Sequence, residues 1–364
     1  MLSKIAVLGA GHGGHACSAD LSLAGYEVKF YELPRFKANI EPILKRGGIE
    51  ITGAARVGFA KMNKVTTNIK EAIQGVDLIL IVVPAFAQRS FAEACIPYIE
   101  DGQMVVYFGK GGGALEFAKT MKDLGVKKNI ILGETNTLPY ATRCIGPAQA
   151  KVFCVVNELL TAAFPAKITQ KLAKTLKELY PSVVPVNNVL ETLLNDINAI
   201  LHPIPTILNA GRIEYTEGEF YIYKEGFTPS VVRVMEAVDK ERLAIVKALG
   251  LKQIPFGELY CRVGFGPKGS IIEAVTHAYG ASEMRSPGNL QSRYIIEDVP
   301  YGLVSIASIG ELVGVSTPTI KSIIALASAI NQVDYWEQGR NVQKLGIAQL
   351  SISDLQRFLT EGKI

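Results

Sequence analysis

The first half of the chain alternates short, mainly apolar runs with longer stretches in which apolar and polar residues are mixed. Short apolar runs are typical of buried strands, and the mixed stretches between them are typical of helices. The predicted strands are 4–8, 27–31, 77–83, 103–108 and 129–132, and the predicted helices are 15–24, 39–46, 68–74, 87–98 and 114–124. Strands that are apolar on both faces and alternate with helices form parallel sheets covered on both sides. This half is therefore predicted to be an α/β, Rossmann-like, doubly wound parallel sheet.

The pattern changes at about residue 187, after which apolar residues recur at helical spacing and strand signals are absent. The clearest predicted helices begin at Thr228, Thr317 and Ser351 and end near Gly250, Gln332 and Leu359. Two of them start with Thr-Pro, which places an N-cap residue before a proline in the first helical position. We therefore expect a Rossmann-like domain over residues 1–184 and an all-α domain over residues 185–364. The cleft between two such domains is the expected substrate site.

The first apolar run leads into a glycine-rich turn with the spacing of a dinucleotide-binding motif. Residues 9–14 read Gly-Ala-Gly-His-Gly-Gly and are followed by small residues that begin a helix. The first glycine permits a sharp turn, the second lets a pyrophosphate approach the backbone, and the last lets the helix pack close to the strand. The helix N-terminus offers amide groups and a partial positive charge to the phosphates. The predicted dinucleotide-binding residues of this turn are Gly9, Gly11, His12, Gly13 and Gly14.

Glu32 follows the second predicted strand, 18 residues after Gly14. An acidic side chain at this point can accept hydrogen bonds from both hydroxyls of the adenosine ribose. Arg35 and Lys37 lie close enough in sequence to bind the 2′-phosphate of NADP instead, but the Glu32 carboxylate would repel that phosphate. NAD is therefore the predicted cofactor, with NADP as the alternative.

Two further loops follow strands of the predicted sheet. Pro84 comes directly after the strand 77–83, and the glycine-rich residues 109–113 follow the strand 103–108. Ligands on open parallel sheets bind at the carboxyl ends of the strands, so both loops are predicted to line the cofactor. Ordinary turn chemistry explains residues 109–113 equally well. For His12 and the neighbouring His15, a solvated helix start is the alternative to a phosphate contact.

Charge and composition exclude several classes of protein. The chain has 38 basic and 34 acidic residues without a basic block, so no nucleic-acid partner is expected. Its longest apolar run, residues 78–87, contains a proline and is too short to span a bilayer, so no membrane partner is expected. The five cysteines are scattered and lack CxxC spacing, which predicts reduced thiols in a cytoplasmic protein and no metal site.

The most pointed candidate for proton transfer is His202. Asn198 lies four residues earlier, so the two side chains share a helix face. Pro203 disfavours helical geometry at the histidine, so a kink or a helix end is predicted there. Such a break can turn an imidazole toward a cleft, where it can transfer a proton near neutral pH. The alternative is a histidine at a helix end that is hydrogen-bonded to a carbonyl group.

A second candidate segment contains Arg293 and Asp298. An arginine can bind a substrate carboxylate with two parallel hydrogen bonds. An aspartate beside a histidine holds its tautomer and stabilises the imidazolium form. The alternative is a surface salt bridge together with a capping acid.

Several segments along the chain carry a family resemblance. They are 111–116, 137–143, 198–203, 208–212, Phe220-Tyr221, Tyr223, Glu241-Arg242, Arg293-Tyr294 and 297–303. Together they resemble the octopine/nopaline (opine) dehydrogenases: the first two resemble loops of the cofactor domain, and the others resemble the helical domain and its active-site segments.

This resemblance implies a reductive condensation. The amine of an amino acid and a 2-oxo acid, usually pyruvate, join as an imine that NAD(P)H reduces to a secondary amine; the oxidation is the reverse. The resemblance makes His202 the acid/base, Asp298 its partner and Arg293 the group that binds the 2-oxo acid. Asn198, in the same motif as His202, is predicted to bind substrate. A homodimer is expected because two-fold dimers are the commonest oligomers.

Two other functions remain open at this stage. A plain 2-oxo acid or ketone reductase, of the ketopantoate reductase or glycerol-phosphate dehydrogenase type, has the same two-domain build. A non-catalytic dinucleotide sensor is a third hypothesis, although a sensor has no need of a proton-transfer group such as His202.

Overall fold

The computed structural model describes residues 2–278 and 281–363, and the chain divides into two compact units. The first unit consists of the described residues of Met1–Thr192 and Arg357–Ile364, and the second of those of Leu193–Gln356. The terminal residues of the two predicted domains, Met1 and Ile364, lie outside the described residues.

The units divide after Thr192 rather than after residue 184, and the end of the chain belongs to the first unit. Two contacts give the physical reason. The Thr192 hydroxyl donates to the Glu134 carboxylate at 2.5 Å, which ties this residue to the sheet. Near the C-terminus, the ring of Phe358 packs on Phe164 with the centroids 4.9 Å apart.

The first unit is built on two sheets. Its strands are β1 (Lys4–Leu8), β2 (Glu27–Tyr31), β3 (Gly48–Gly53), β4 (Gly58–Lys61), β5 (Lys64–Thr66), β6 (Leu78–Ile81), β7 (Met104–Tyr107), β8 (Ile131–Thr135), β9 (Tyr140–Gly146), β10 (Gln149–Val155), β11 (Leu159–Phe164) and β12 (Val183–Pro185). The main sheet has the order β12-β11-β8-β7-β6-β1-β2-β5, and its neighbours pair in parallel except for β11 with β8. The predicted parallel, Rossmann-like sheet is therefore confirmed.

A second, four-stranded sheet has the order β4-β3-β10-β9 and was not predicted. In β9 and β10, buried residues alternate with partly exposed ones. Such half-buried strands lack the mainly apolar runs that identified five of the eight strands of the main sheet; β5, β11 and β12 were also not predicted.

The helices of the first unit connect its strands and cover the main sheet. They are α1 (His12–Leu23), α2 (Glu41–Arg46), α3 (Ile69–Ile73), α4 (Ala85–Cys95), α5 (Gly113–Asp123), α6 (Thr169–Leu179) and the start of α7 (Val189–Leu194), with 3₁₀ turns at Pro34–Asn39, Ile96–Tyr98 and Ala166–Ile168. The central strand β1 is fully buried from Ile5 to Leu8, as expected for a strand with helices on both faces of its sheet.

One edge of the main sheet gathers the candidate cofactor residues. Leu8 of β1 lies opposite Tyr31 of β2 and Ile81 of β6, and Ile81 lies opposite Tyr107 of β7. The carboxyl ends of these four strands are therefore level. The segments that follow them are the glycine turn after β1, Glu32 after β2, Pro84 after β6 and residues 109–113 after β7.

The second unit is helical, as predicted. Its helices are α8 (Asn198–Leu201), α9 (Pro203–Leu208), α10 (Ala210–Thr216), α11 (Ile222–Glu225), α12 (Pro229–Ala248), α13 (Phe256–Val263), α14 (Ile271–Thr276), α15 (Arg293–Ile296), α16 (Val304–Leu312), α17 (Pro318–Asn331), α18 (Tyr335–Gln338) and the start of α19 (Ile352–Glu361), with a π-helical turn at Val299–Leu303. The Thr228 hydroxyl caps α12 by accepting from the Val231 amide at 3.5 Å. No helix in the described parts of the chain is long and apolar enough to cross a bilayer.

Candidate active site

The glycine turn between β1 and α1 has the backbone that a dinucleotide site requires. Gly9 has a φ of +107°, and a Cβ there would lie 2.7 Å from the carbonyl oxygen of Val82. A Cβ at Gly14 would overlap the carbonyl oxygen of Gly9, so this glycine permits the close packing of helix on strand. By contrast, a Cβ at Gly11 would meet nothing within 4 Å, and this open space is where a pyrophosphate would approach. The turn therefore fits the phosphates of NAD or NADP.

His12, the first residue of α1, has a defined tautomer. Its Nδ1 accepts a hydrogen bond from the Cys144 amide at 3.0 Å, so the neutral ring carries its proton on Nε2. This arrangement makes Nε2–H a donor at the start of the helix. Gly13 packs against the Leu138 side chain, because a Cβ at Gly13 would lie 2.9 Å from it.

Glu32 is buried and helps to hold the glycine turn. Its carboxylate accepts from the amides of Ala10 at 3.0 Å and Leu33 at 2.8 Å, and from the Asn39 side chain at 3.2 Å. A carboxylate can accept about four hydrogen bonds, so these contacts leave room for a ribose hydroxyl. Arg35 and Lys37, the candidates for a 2′-phosphate, are exposed nearby in the 3₁₀ turn.

His15 is a core residue rather than part of a solvated helix start. Its Nδ1 lies 3.0 Å from the carbonyl oxygen of Gly11, and its ring meets Phe30 edge-on with the centroids 5.6 Å apart. Burial lowers the pKa of His15 below its usual value of 6.5, and this effect outweighs the hydrogen bond to Gly11, which raises it. Burial therefore favours the neutral form of this imidazole in the folded protein.

The buried His15 predicts a pH-dependent stability. Unfolding releases an imidazole that binds a proton below about pH 6.5, so the folded state loses stability as the pH falls through that value. We expect the thermal midpoint of His15→Asn to fall less steeply between about pH 7 and pH 5 than that of the wild type. The exposed His277 provides the control, because His277→Asn should keep the wild-type slope. Equal slopes for His15→Asn and the wild type would contradict this explanation.

The two predicted cofactor loops differ in how they are held. Pro84 precedes α4 at the same sheet edge as the glycine turn. The buried Glu134 carboxylate holds the loop 109–113. It accepts hydrogen bonds from the amides of Gly112 and Ala114 at 2.9 Å. Turn chemistry anchored by Glu134 therefore accounts for this loop. Sequence reasoning missed Glu134, and its only signal was an acidic residue within an apolar stretch.

In the second unit, the helix breaks at His202, as predicted. The helix α8 ends there and α9 begins at Pro203, while the His202 amide still donates to the Asn198 carbonyl at 3.1 Å. Asn198 and His202 therefore lie one helical turn apart on one face. The side-chain amide of Asn198 is half-buried and makes no hydrogen bond to any described residue.

Asp298 and His202 form a close pair although 96 positions separate them in the chain. His202 Nδ1 lies 2.8 Å from Asp298 Oδ2, and Asp298 is almost fully buried while 14% of the imidazole is exposed. Because a carboxylate accepts and does not donate, the proton of the neutral imidazole lies on Nδ1. The other ring nitrogen, Nε2, therefore has no proton in the neutral ring and can accept a hydrogen bond.

A π-helical turn follows Asp298 directly. The Leu303 amide donates to the Asp298 carbonyl at 3.0 Å, five residues back along the chain. Single π turns of this kind occur often at functional sites, where they displace a residue from regular helical spacing.

The Glu297 carboxylate orients the Arg293 side chain. Its guanidinium bonds the buried Glu297 at 2.6 Å, while 59% of the Arg293 side chain stays exposed. Because a guanidinium has five N–H donors, this pair leaves donors for a carboxylate ligand.

Two tyrosines complete the surroundings of the imidazole. His202 Nε2 lies 3.0 Å from Tyr223 Oη, which lies 3.1 Å from Tyr294 Oη. The Tyr294 ring also stacks on the imidazole, with the centroids 3.9 Å apart. Sequence analysis noted both tyrosines only as part of the family resemblance, because no spacing rule connects residues on α11 and α15 with the break between α8 and α9. Within residues 2–278 and 281–363, no cluster of histidine, cysteine and acidic residues could hold a metal ion.

Comparison with known proteins assigns the family. An opine dehydrogenase of Arthrobacter sp. (strain 1C) is 36% identical over 352 residues, which cover 96% of this chain and 97% of that protein. The chain belongs to the opine dehydrogenase family. It is therefore an NAD(P)-dependent dehydrogenase, which sets aside the hypothesis of a non-catalytic sensor.

Other relatives agree with this assignment. The family model described as the alpha-helical domain of NAD/NADP octopine/nopaline dehydrogenase matches residues 185–331, and the N-terminal model of NAD-dependent glycerol-3-phosphate dehydrogenase matches residues 4–137. The octopine dehydrogenase of Pecten maximus is 24% identical over 369 residues, covering 90% of each chain.

Solved structures of the family share the fold of this opine dehydrogenase family member. An octopine dehydrogenase solved with NADH and L-arginine has a TM-score of 0.77 and 19% identity, and the match covers 100% of this chain and 98% of that one. A yersinopine dehydrogenase solved with NADP+ has a TM-score of 0.73 and 15% identity, covering 99% and 98% of the two chains.

Proposed function

We propose that this protein condenses the amine of an amino acid with a 2-oxo acid, pyruvate being the first candidate, and reduces the imine to an N-(carboxyalkyl)amino acid. The same site would catalyse the reverse oxidation. The observation that carries the proposal is the close His202–Asp298 pair in a member of the opine dehydrogenase family. The names of relatives support the substrate classes, since octopine dehydrogenase has been solved with L-arginine and with pyruvate.

In this proposal, the two units have separate tasks. The first unit binds the dinucleotide through Gly9, Gly11, His12, Gly13 and Gly14, with Glu32 at the ribose and Pro84 lining the site. The second unit binds the substrates and supplies the proton. The bound dinucleotide supplies the hydride, and every other group in the reaction comes from the chain or from the substrates.

His202 is proposed as the acid/base. When a hydride adds to the imine carbon, the electron pair of the C=N π bond moves to nitrogen, which then needs a proton that an imidazolium can supply near neutral pH. The Asp298 carboxylate stabilises this imidazolium and keeps its Nδ1 protonated. The closeness of the two groups, 2.8 Å, supports these paired roles.

Arg293 and Asn198 are proposed to hold the substrates. A guanidinium can grip the planar carboxylate of the oxo acid with two hydrogen bonds and so present one face of the reacting carbon. The ion pair with Glu297 fixes one edge of the Arg293 guanidinium, so less side-chain conformational entropy is lost when a substrate binds. The half-buried Asn198 amide, one turn from His202, is suited to a polar group of the substrate.

A requirement for both substrates tests the proposal. The protein is incubated with NADH or NADPH, with pyruvate or another 2-oxo acid, and with each member of an amino acid panel. We expect rapid cofactor oxidation only when both the amine and the oxo acid are present, because the reducible bond is the imine that they form. Mass spectrometry should find a product with the mass of both substrates plus two hydrogens minus one water. Equally fast oxidation with the oxo acid alone would instead indicate a 2-oxo acid reductase.

A further inference from the structure

Both ring nitrogens of His202 are already engaged by the chain. Nδ1 lies 2.8 Å from Asp298 Oδ2, and Nε2 lies 3.0 Å from Tyr223 Oη. Each imidazole nitrogen forms one hydrogen bond in the plane of the ring. A substrate that took its proton directly from Nε2 would therefore have to displace the Tyr223 hydroxyl, which lies where the proton acceptor is expected.

Tyr223 is held in that position by its surroundings. Its ring stacks on Phe227 with the centroids 5.8 Å apart and the planes 14° apart, and only 4% of the residue is exposed. Its Oη also lies 3.1 Å from Tyr294 Oη, and the Tyr294 ring stacks on the imidazole with the planes 6° apart. Displacing the hydroxyl would break this packed and hydrogen-bonded arrangement, so a route that keeps it in place costs less.

The hydrogen-bond directions depend on the charge of the imidazole. With a neutral ring, the Tyr223 hydroxyl donates to Nε2. With an imidazolium, Nε2–H donates to Tyr223 Oη instead, and the Tyr294 hydroxyl can donate to the same oxygen. A phenol has one proton and two acceptor positions, so the Tyr223 proton is then directed to a third partner.

We propose that the Tyr223 hydroxyl delivers the proton to the substrate and that His202 replaces the proton on Tyr223. This inference rests on the function proposed above. In the reductive direction, the hydride adds to the imine carbon and the electron pair of the C=N π bond moves to nitrogen. The nitrogen takes the Tyr223 proton while Tyr223 Oη takes the proton of His202 Nε2. Tyr223 ends as a phenol and His202 as a neutral imidazole, and the oxidation reverses each transfer.

The ionisation of Tyr223 agrees with this role. Burial, and next the neighbouring Tyr294, raise the pKa of Tyr223 well above its usual value. A phenol of this kind does not persist as an anion near neutral pH. It can give up a proton only while it receives another, so the two transfers must be coupled.

The first test is kinetic and uses Tyr223→Phe, which keeps the ring and removes the hydroxyl. We expect kcat to fall by about 10²-fold, as for loss of a proton donor, with little change in KM or in cofactor affinity. The control is Tyr335→Phe, because the Tyr335 hydroxyl is also buried and hydrogen-bonded, but to Asn331. It should keep wild-type kcat. A Tyr223→Phe protein that turns over within about threefold of wild type would overturn the proposal.

The number of protons transferred during the reaction distinguishes proton delivery by Tyr223 from a purely structural role. In mixtures of H₂O and D₂O, wild-type kcat should follow a curved, two-proton dependence on the deuterium fraction. Tyr223→Phe should give a straight line, because one of the two transfers is lost. A straight line for the wild type would contradict the proposal. This measurement uses the wild-type protein, so its outcome does not depend on whether a variant folds. Absence of wild-type turnover on every pair of substrates would refute the proposed function itself.

A ligand-free measurement tests the contact independently of turnover. The chain has four histidines, so ¹⁵N signals of His202 can be assigned with single variants. At high pH, we expect the His202 Nε2 resonance to move downfield in Tyr223→Phe, because the hydrogen bond that shields it is lost. An unchanged resonance would show that no hydrogen bond from Tyr223 reaches Nε2 and would overturn the inference.

Discussion

Replacement of His202 by alanine is expected to lower kcat for the reductive condensation by about 10²-fold or more, which is the typical cost of losing a general acid. The variant removes the group to which Asp298 and Tyr223 are both hydrogen-bonded. The residues proposed to bind the dinucleotide lie in the other unit, so the affinity for NADH should stay close to that of wild type. Steady-state kinetics and a fluorescence titration with NADH measure the two quantities.

The matched control for this variant is His277→Ala. His277 belongs to the same unit but is exposed, and its Nδ1 bonds the Glu273 carbonyl at 3.0 Å. It should retain wild-type kcat. A wild-type rate for His202→Ala would remove His202 from the mechanism, and a loss of NADH affinity alone would point to a structural defect.

Replacement of Asp298 by asparagine is expected to be nearly as damaging. The side chain keeps its shape but loses its charge, so it stabilises the imidazolium less, and its amide group can also donate to Nδ1. We expect a fall in kcat of about 10²-fold or more, because the ring loses both the anion that stabilises its charged form and the acceptor that holds its Nδ1 tautomer. The ¹⁵N spectrum of His202 should show the change of tautomer directly.

Asp334→Asn serves as the control for charge removal in the same unit. Asp334 caps the helix Tyr335–Gln338 through the Glu337 amide, and asparagine caps helices about as well as aspartate. Its kcat should match the wild type. If Asp298→Asn kept both full activity and the wild-type tautomer, the contact between Asp298 and His202 would have no catalytic role.

The parts of the molecule that the sequence predicts are those encoded by local patterns. The strand Lys4–Leu8, the glycine turn after it and the start of the helix at His12 lie within twenty residues, so spacing and composition suffice. The break at His202 is equally local, because Pro203 is the next residue. The second sheet escaped prediction because its strands are half exposed and pair across long separations, as between β3 and β10.

The side-chain network of the candidate site is not local. Asp298 meets His202 across 96 positions, and the Tyr223 hydroxyl joins them from a third helix. No period or motif in a single sequence encodes such a meeting, which depends on how the helices of the second unit pack. Only the family resemblance brought these segments together before the structure was known. The anchoring role of Glu134 was missed for the same reason, since its donors lie 20 or more positions away.

The most direct test of the proposed chemistry is a crystal structure of the protein with NAD and the secondary-amine product. We predict that the product nitrogen lies within about 3 Å of the Tyr223 hydroxyl, with that hydroxyl still bonded to His202 Nε2 and His202 still paired with Asp298. A product nitrogen that is farther than one bridging water from both Tyr223 and His202 would contradict the account.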